Sequence, residues 1–176
     1  HFSEAAVEKT KSPEKLSSFD KIKTLLTGVN NPRPNNKTVT GKTFEVVTLQ
    51  SNKRIECWYM KSHDSRDSAK GTVAIFHGYS GEKSSMMDKA EEFLKLGYNT
   101  ILVDFMGSGG SEGNQTTLGY KEAEQVKTVY DYLKTKGEEN IFLFGTSMGA
   151  VAILKSINDY DLTPKSIIIE CPFGSM

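Results

Sequence analysis

The chain has 176 residues and no net charge, with 22 basic and 22 acidic side chains; this is one domain's length with room for an appended segment. Balanced charge excludes nucleic acid as the main partner, because phosphate binding asks for a net basic surface. No apolar run approaches the roughly 20 residues that span a bilayer, and no signal-peptide pattern is visible.

The first stretch with folding signals is SPEKLSSFDKIKTLLTG. Ser12 suits a helix cap, Pro13 the first helical position and Gly28 the stop, while Leu16, Phe19, Ile22 and Leu26 recur at helical spacing. Its polar face mixes Lys, Glu and Asp, which favours docking on the domain over a membrane or partner contact. NNPRPNNKT follows as a Pro/Asn-rich linker, so residues 1–40 read as an extension and 41–176 as the folded core. Thereafter TFEVVTL and RIECWYM read as a hairpin across QSNK. GTVAIFHG, NTILVDF, NIFLFG and KSIIIECP read as short buried strands. Between them, SSMMDKAEEFLKLG, with Met86, Met87, Ala90, Phe93 and Leu94 on one face, YKEAEQVKTVYDYLKTKG, with Ala123, Val126, Val129, Tyr130 and Leu133 inward, and MGAVAILKSI read as helices. Strands alternating with helices imply an α/β protein with a mostly parallel sheet covered on both faces. Ligands of such sheets sit beyond the carboxyl ends of the strands. Three glycine-rich turns leave those ends: HGYSG, DFMGSGGSEG and GTSMG.

Cys57 and Cys171 both fall in expected strands, where a small apolar side chain is the plain reading. Their spacing fits neither a disulfide framework nor a metal site. Asn36-Lys37-Thr38 and Asn114-Gln115-Thr116 match a glycosylation acceptor, a triplet that arises often by chance.

Ser147 lies in Gly145-Thr146-Ser147-Met148-Gly149, between an apolar strand and an apolar helix. A nucleophilic serine needs exposure, an oxyanion site and a base. A turn from strand to helix within about one residue strains the serine backbone and lifts its Oγ above the strand end. Gly145 and Gly149 remove side chains that would clash across so tight a turn. The Met148 N–H is left free at a helix N-terminus, where it favours negative charge. A second donor is expected from the loop after the third strand, where the backbone N–H of Tyr79 follows His77-Gly78. The phosphate-loop pattern G-x-x-x-x-G-K-[ST] is absent, and GSGGSEG lacks both the helix and the acidic partner of a dinucleotide loop.

VAIFHGYSG, NTILVDFMGSGGSEG and FLFGTSMGA, in that order, resemble the α/β-hydrolase superfamily, and within it the bacterial serine hydrolases that include S33 peptidases and monoacylglycerol-lipase-like esterases. The resemblance covers roughly residues 42 to 176. It implies an α/β-hydrolase fold, Ser147 as nucleophile, and the Met148 and Tyr79 N–H groups as oxyanion donors. It implies that His77 and Gly78 hold the oxyanion loop, and that Asp104 and the following glycines shape a structural loop. Met106 and Ser108 depart from the Arg and His common in the family.

The family order is nucleophile, acid, histidine, yet no histidine follows Ser147 here; the three present are His1, His63 and His77. A structural role is preferred for His77, a solvated loop position for His63, and a terminal one for His1. Glu170 ends the sixth strand, where a minority of the family places its acid; a strand-end carboxylate is the preferred reading. The expectation is therefore the N-terminal portion of a longer hydrolase, whose last strands, lid, acid and histidine lie beyond Met176, on another chain, or are absent. SIIIEC would then be an exposed apolar edge. The start at His1 rather than Met implies upstream removal and favours an exported or cell-envelope protein over a cytoplasmic one.

The function expected is hydrolysis of a carboxylic ester, thioester or amide of a small acyl substrate through an acyl-enzyme. The alternative is a non-catalytic binding protein that keeps the fold. A dehalogenase is disfavoured, since that chemistry uses a carboxylate where Ser147 stands. No metal cluster or cofactor motif is visible, and no cofactor is expected.

Overall fold

The computed structural model describes residues 2–3, 31–62 and 69–171. The expected helix over 12–28, His1, His63 and the tail after Cys171 lie outside these described residues.

Two short strands, β1 (Phe2–Ser3) and β2 (Asn31–Pro32), pair in parallel. The main sheet holds β3 (Glu45–Gln50), β4 (Arg54–Met60), β5 (Thr72–Phe76), β6 (Asn99–Val103), β7 (Ile141–Thr146) and β8 (Ser166–Glu170), in the order β3-β4-β6-β5-β7-β8. β3–β4 and β4–β6 pair antiparallel, and the other pairs are parallel. Three helices connect the parallel strands: α1 (Met87–Lys95), α2 (Glu122–Thr135) and α3 (Met148–Tyr160).

Side chains alternate across a strand, so a sheet covered on both faces needs apolar residues at successive positions. β5 does this: Ala74 and Phe76 join the core under α2 and α3, whereas Val73 and Ile75 join the core under α1. β6 divides in the same way, with Ile101 and Val103 on one side and Leu102 on the other. Met87, Ala90 and Leu94 of α1 close one face; Val126, Val129 and Leu133 of α2, with Ala152 and Ile153 of α3, close the other. Fold class, the element order from β3 onward and the inward faces thus agree with the sequence reading, whereas the short β1–β2 pair was not expected.

Two local expectations are corrected. The helix expected from Ser84 opens as a 3-10 turn over Lys83–Met86, in which the Lys83 backbone is tied to Asp104 by a 2.7 Å hydrogen bond. Cys171 lies outside the strand that was expected to contain it. Pairing ends at Thr146 opposite Glu170, where β7 runs out, so Cys171 has no partner strand; it is exposed, with φ 48°. β8 pairs only with β7 among the described residues and leaves Ile168 41% exposed.

Burial sets the expected cost of truncation. Leu143→Ala, at a fully buried β7 position, should cost about 3 kcal/mol. Val46→Ala, at a position 53% exposed, should change stability by less than about 0.5 kcal/mol. Urea unfolding of the two variants beside the parent checks both.

Candidate active site

The site is set by strand register. β5 lies between β6 and β7, and Phe76 stands opposite both Val103 and Gly145. The chains leaving these strands, at His77, Asp104 and Thr146, therefore emerge side by side. The connection through α1 carries the chain to one side of β5, and the one through α2 carries it to the other. Such a reversal of strand order opens a crevice at the carboxyl ends.

Ser147 occupies the junction of β7 and α3 with φ 51° and ψ −111°, a backbone state that side-chain-bearing residues rarely adopt. Its N–H donates to Glu170 O at 2.8 Å, and its carbonyl accepts from Val151 N–H at 3.1 Å, so the residue is fixed from both sides. A β-carbon on Gly145 would lie 2.6 Å from the Gly149 carbonyl carbon. One on Gly149 would lie 2.9 Å from His77 O and closer still to Phe76 O. The two glycines are thus required by backbone packing. Met148, buried at the first position of α3, has no carbonyl one turn earlier inside the helix to bond.

The loop after β5 runs beside this turn. A β-carbon on Gly78 would sit 3.5 Å from Ser147 Cβ and 3.4 Å from Thr146 O. Gly81 N–H closes the loop onto Gly78 O at 3.1 Å. Tyr79 is 45% exposed, and no acceptor for its N–H exists among the described residues. His77 is buried; its Nε2 accepts from Phe105 N–H at 3.1 Å, and its Nδ1 lies 2.8 Å from Gly78 O. Those contacts require a neutral ring with the proton on Nδ1. Burial holds its pKa below the ordinary value, against the opposing pull of the Gly78 carbonyl and of Asp104. With both nitrogens engaged, His77 has no lone pair for a serine proton.

The structure therefore brings Ser147, Met148, Gly145, Gly149, His77, Gly78 and Tyr79 to one rim. Glu170 meets Ser147 through its backbone carbonyl, while its carboxylate is paired with Lys89 Nζ on α1 at 2.6 Å.

Residues 67–176, more than half of the chain, match the family model described as serine aminopeptidase, S33. The chain belongs to this family. It is 28% identical over 136 residues to the uncharacterized protein YqkD of Bacillus subtilis (strain 168), covering 76% of this chain and 43% of that protein. It is 27% identical over 127 residues to lysophosphatidylserine lipase ABHD12 of Danio rerio, covering 68% of this chain and 31% of that protein. Among solved structures, the Pyrococcus furiosus esterase Pf2001 matches with a TM-score of 0.63 and 28% identity, over 74% of this chain and 54% of that one. The chain thus spans less than half the length of the curated relatives named here.

In this S33 chain the rim is braced by buried charges, of which sequence reasoning singled out Asp104 alone. Lys83 and Asp104 have fully buried side chains and form an ion pair, and Lys83 Nζ also lies 2.8 Å from Glu56 Oε1 and 4.5 Å from the centre of the Trp58 ring. Asp104 accepts further from Gly110 N–H at 2.9 Å and Asn36 Nδ2 at 2.8 Å. The loop after β5 is thereby gripped at both ends by one corner of the sheet, through His77 on Phe105 and Lys83 on Asp104. Glu122, fully buried in the first turn of α2, accepts from Thr116 Oγ1, Thr117 N–H, Thr117 Oγ1 and Gly119 N–H at 2.6–3.0 Å. Thr116 Oγ1 in turn lies 3.0 Å from Met148 Sδ. A charged residue directly after an apolar strand, as at Asp104, was the available signal; Lys83 and Glu122 carried none. Asn36, the head of an acceptor-like triplet, spends its amide inside the protein, donating to Asp104 and accepting from Ser84 N–H.

Gly149→Ala should cost about 3 kcal/mol or more, because the new methyl meets backbone rather than a movable side chain. Gly137→Asn, at φ 82° with nothing within 4 Å of the added carbon, should cost no more than about 1 kcal/mol. Thermal melts of soluble protein separate the two cases. The depressed pKa of His77 carries a second expectation. As pH falls through about 6.5, the unfolded chain binds a proton that the native ring refuses, so stability drops on the acid side. In His77→Gln that part of the decline between pH 7 and 5 should vanish, read as a smaller proton uptake on urea unfolding.

Proposed function

We propose that this protein is a serine hydrolase acting on carboxylic esters, with Ser147 as the nucleophile. The observation that carries the reading is the left-handed backbone of Ser147 at the β7–α3 junction, with the Gly78–Tyr79 backbone alongside it. Ser147 Oγ attacks the acyl carbon, and its proton passes to a histidine that is not among the described residues. The negative oxygen of the tetrahedral intermediate accepts from the N–H groups of Met148 and Tyr79. Collapse expels the alcohol, which takes the proton from that histidine, and leaves the acyl group on Ser147. A water molecule, deprotonated by the same histidine, then releases the carboxylic acid. Esters are favoured over amides and thioesters by the relatives named esterase and lysophosphatidylserine lipase. His77 serves as a neutral strut for the oxyanion loop.

A fluorophosphonate should label full-length protein on the peptide carrying Ser147, and Ser147→Ala should abolish the label. Hydrolysis of p-nitrophenyl butyrate by Ser147→Ala should fall by on the order of 10⁴-fold or more. Folded, full-length protein that neither labels nor hydrolyses such esters would overturn the reading and leave a binding protein in its place.

A further inference from the structure

Residues 31–37 precede the stretch matched by the family, yet they are stitched to both loops that wall the site. Arg33 is the anchor. Its guanidinium donates to Gly113 O at 2.5 Å, Gly109 O at 3.2 Å, Ser108 O at 3.4 Å and Ser111 O. The Gly109 N–H returns a bond to Pro34 O at 2.8 Å. A planar fork of donors suits several carbonyls of one curled loop, which a single ammonium could not satisfy. On the other side, Asn36 bonds Asp104 and Ser84, and Lys37 N–H donates to Ser84 Oγ at 2.9 Å. Between these anchors Asn31 is buried, and its Nδ2 donates to Tyr79 Oη at 2.5 Å. The Phe2 ring, 6.1 Å from the Tyr79 ring, backs the same contact. Tyr79 itself is 45% exposed, and between the loop's anchors at His77 and Lys83 the turn around it is closed by the Gly81–Gly78 backbone bond.

We propose that residues 31–37 are a strap that positions the Tyr79 N–H for the developing oxyanion, with Arg33 as its anchor and Asn31 as the positioning residue. This rests on the hydrolase reading above. The strap acts on backbone placement through the tyrosine side chain, so the phenol serves as a handle and takes no part in the chemistry. It joins the loops after β5 and β6, whose relative position the sheet register fixes only at the strand ends.

The test uses full-length protein and p-nitrophenyl butyrate, with hydrogen–deuterium exchange at the Gly81 amide, which bonds Gly78 O across Tyr79, as a readout independent of activity. Asn31→Leu should speed that exchange and lower kcat by about 10-fold, less than loss of a whole oxyanion donor, with KM within about 2-fold of the parent. Tyr79→Phe should reproduce the loss, and the double variant should lose no more than either alone. Asn31→Asp, whose carboxylate accepts from the phenol, should restore most of kcat. Arg33→Met should also speed exchange at 107–113, with Arg33→Lys giving partial recovery. Unchanged Gly81 exchange and kcat in folded Asn31→Leu would overturn the strap, as would fully additive losses in the double variant. Should Arg33→Met fail to fold, the Asn31 and Tyr79 variants decide the matter. Parent protein that fails to label at Ser147 overturns the hydrolase reading instead, and exchange at Gly81 still decides whether the strap holds the loop.

Discussion

The approach of α3 to the end of β5 is the constraint on which the rim depends. Gly149 packs directly on the carbonyls of Phe76 and His77, and Gly145 packs on Gly149, with no room for a β-carbon at either position. That contact forces β7 to turn into α3 within one residue and puts Ser147 in the left-handed region at φ 51°. Strain of this kind costs of order 1–3 kcal/mol and persists only where the surroundings over-determine it. Here the surroundings include β5 on one side, β8 through Glu170 O on the other, and the fully buried Leu143 and Ile153 behind.

Backbone packing fixes the turn, while charge fixes the loops around it. Burying a carboxylate is unfavourable unless its lone pairs are filled. Asp104 and Glu122 are each filled by loop N–H groups and short polar side chains, and Asp104 also by an ammonium. Each carboxylate thereby converts an irregular loop, with no ladder of its own, into one with a preferred shape. An apolar core residue could fill the space but could not select among loop conformers, since its contacts are non-directional. The cost lies in the coupling: with Lys83 removed, the Asp104 charge would be left short of its countercharge in a fully buried position.

What could be read from the sequence follows from the range of the interactions. The strands, helices and inward faces depend on periodicity within a single element, and they were legible. So was the elbow, because Gly145, Ser147 and Gly149 sit within five residues between two apolar runs. The end of β8 was misjudged at Cys171, since a strand's length is set by its partner and β7 stops at the elbow. The polar braces were not legible. Arg33 meets its carbonyls some 75–80 residues away, and Lys83 meets Glu56 and Asp104 across 27 and 21 residues. Neither has a local pattern that distinguishes it from a solvated lysine or arginine. The NNPRPNN segment reads locally as a flexible tract, and only the fold reveals what its side chains touch.

The two proposed oxyanion donors come from different strand ends, and they are held with different stiffness. Met148 is the first residue of a helix whose packing against β5 and β7 leaves no slack. Tyr79 sits on a loop that is pinned at His77 and Lys83 but spans five residues between them. An oxyanion hole works by presenting both donors before the charge develops, since reorganisation at that moment would forfeit the gain. The less rigid donor therefore limits the pair. The contacts that stiffen it lie outside the elbow, in the buried Lys83–Asp104 pair and in the segment that bonds the Tyr79 phenol. In this chain α3 and β5 supply the serine turn between them. The second donor depends in addition on contacts from ahead of the main sheet, Asn31 on the Tyr79 phenol and the Phe2 ring beside it.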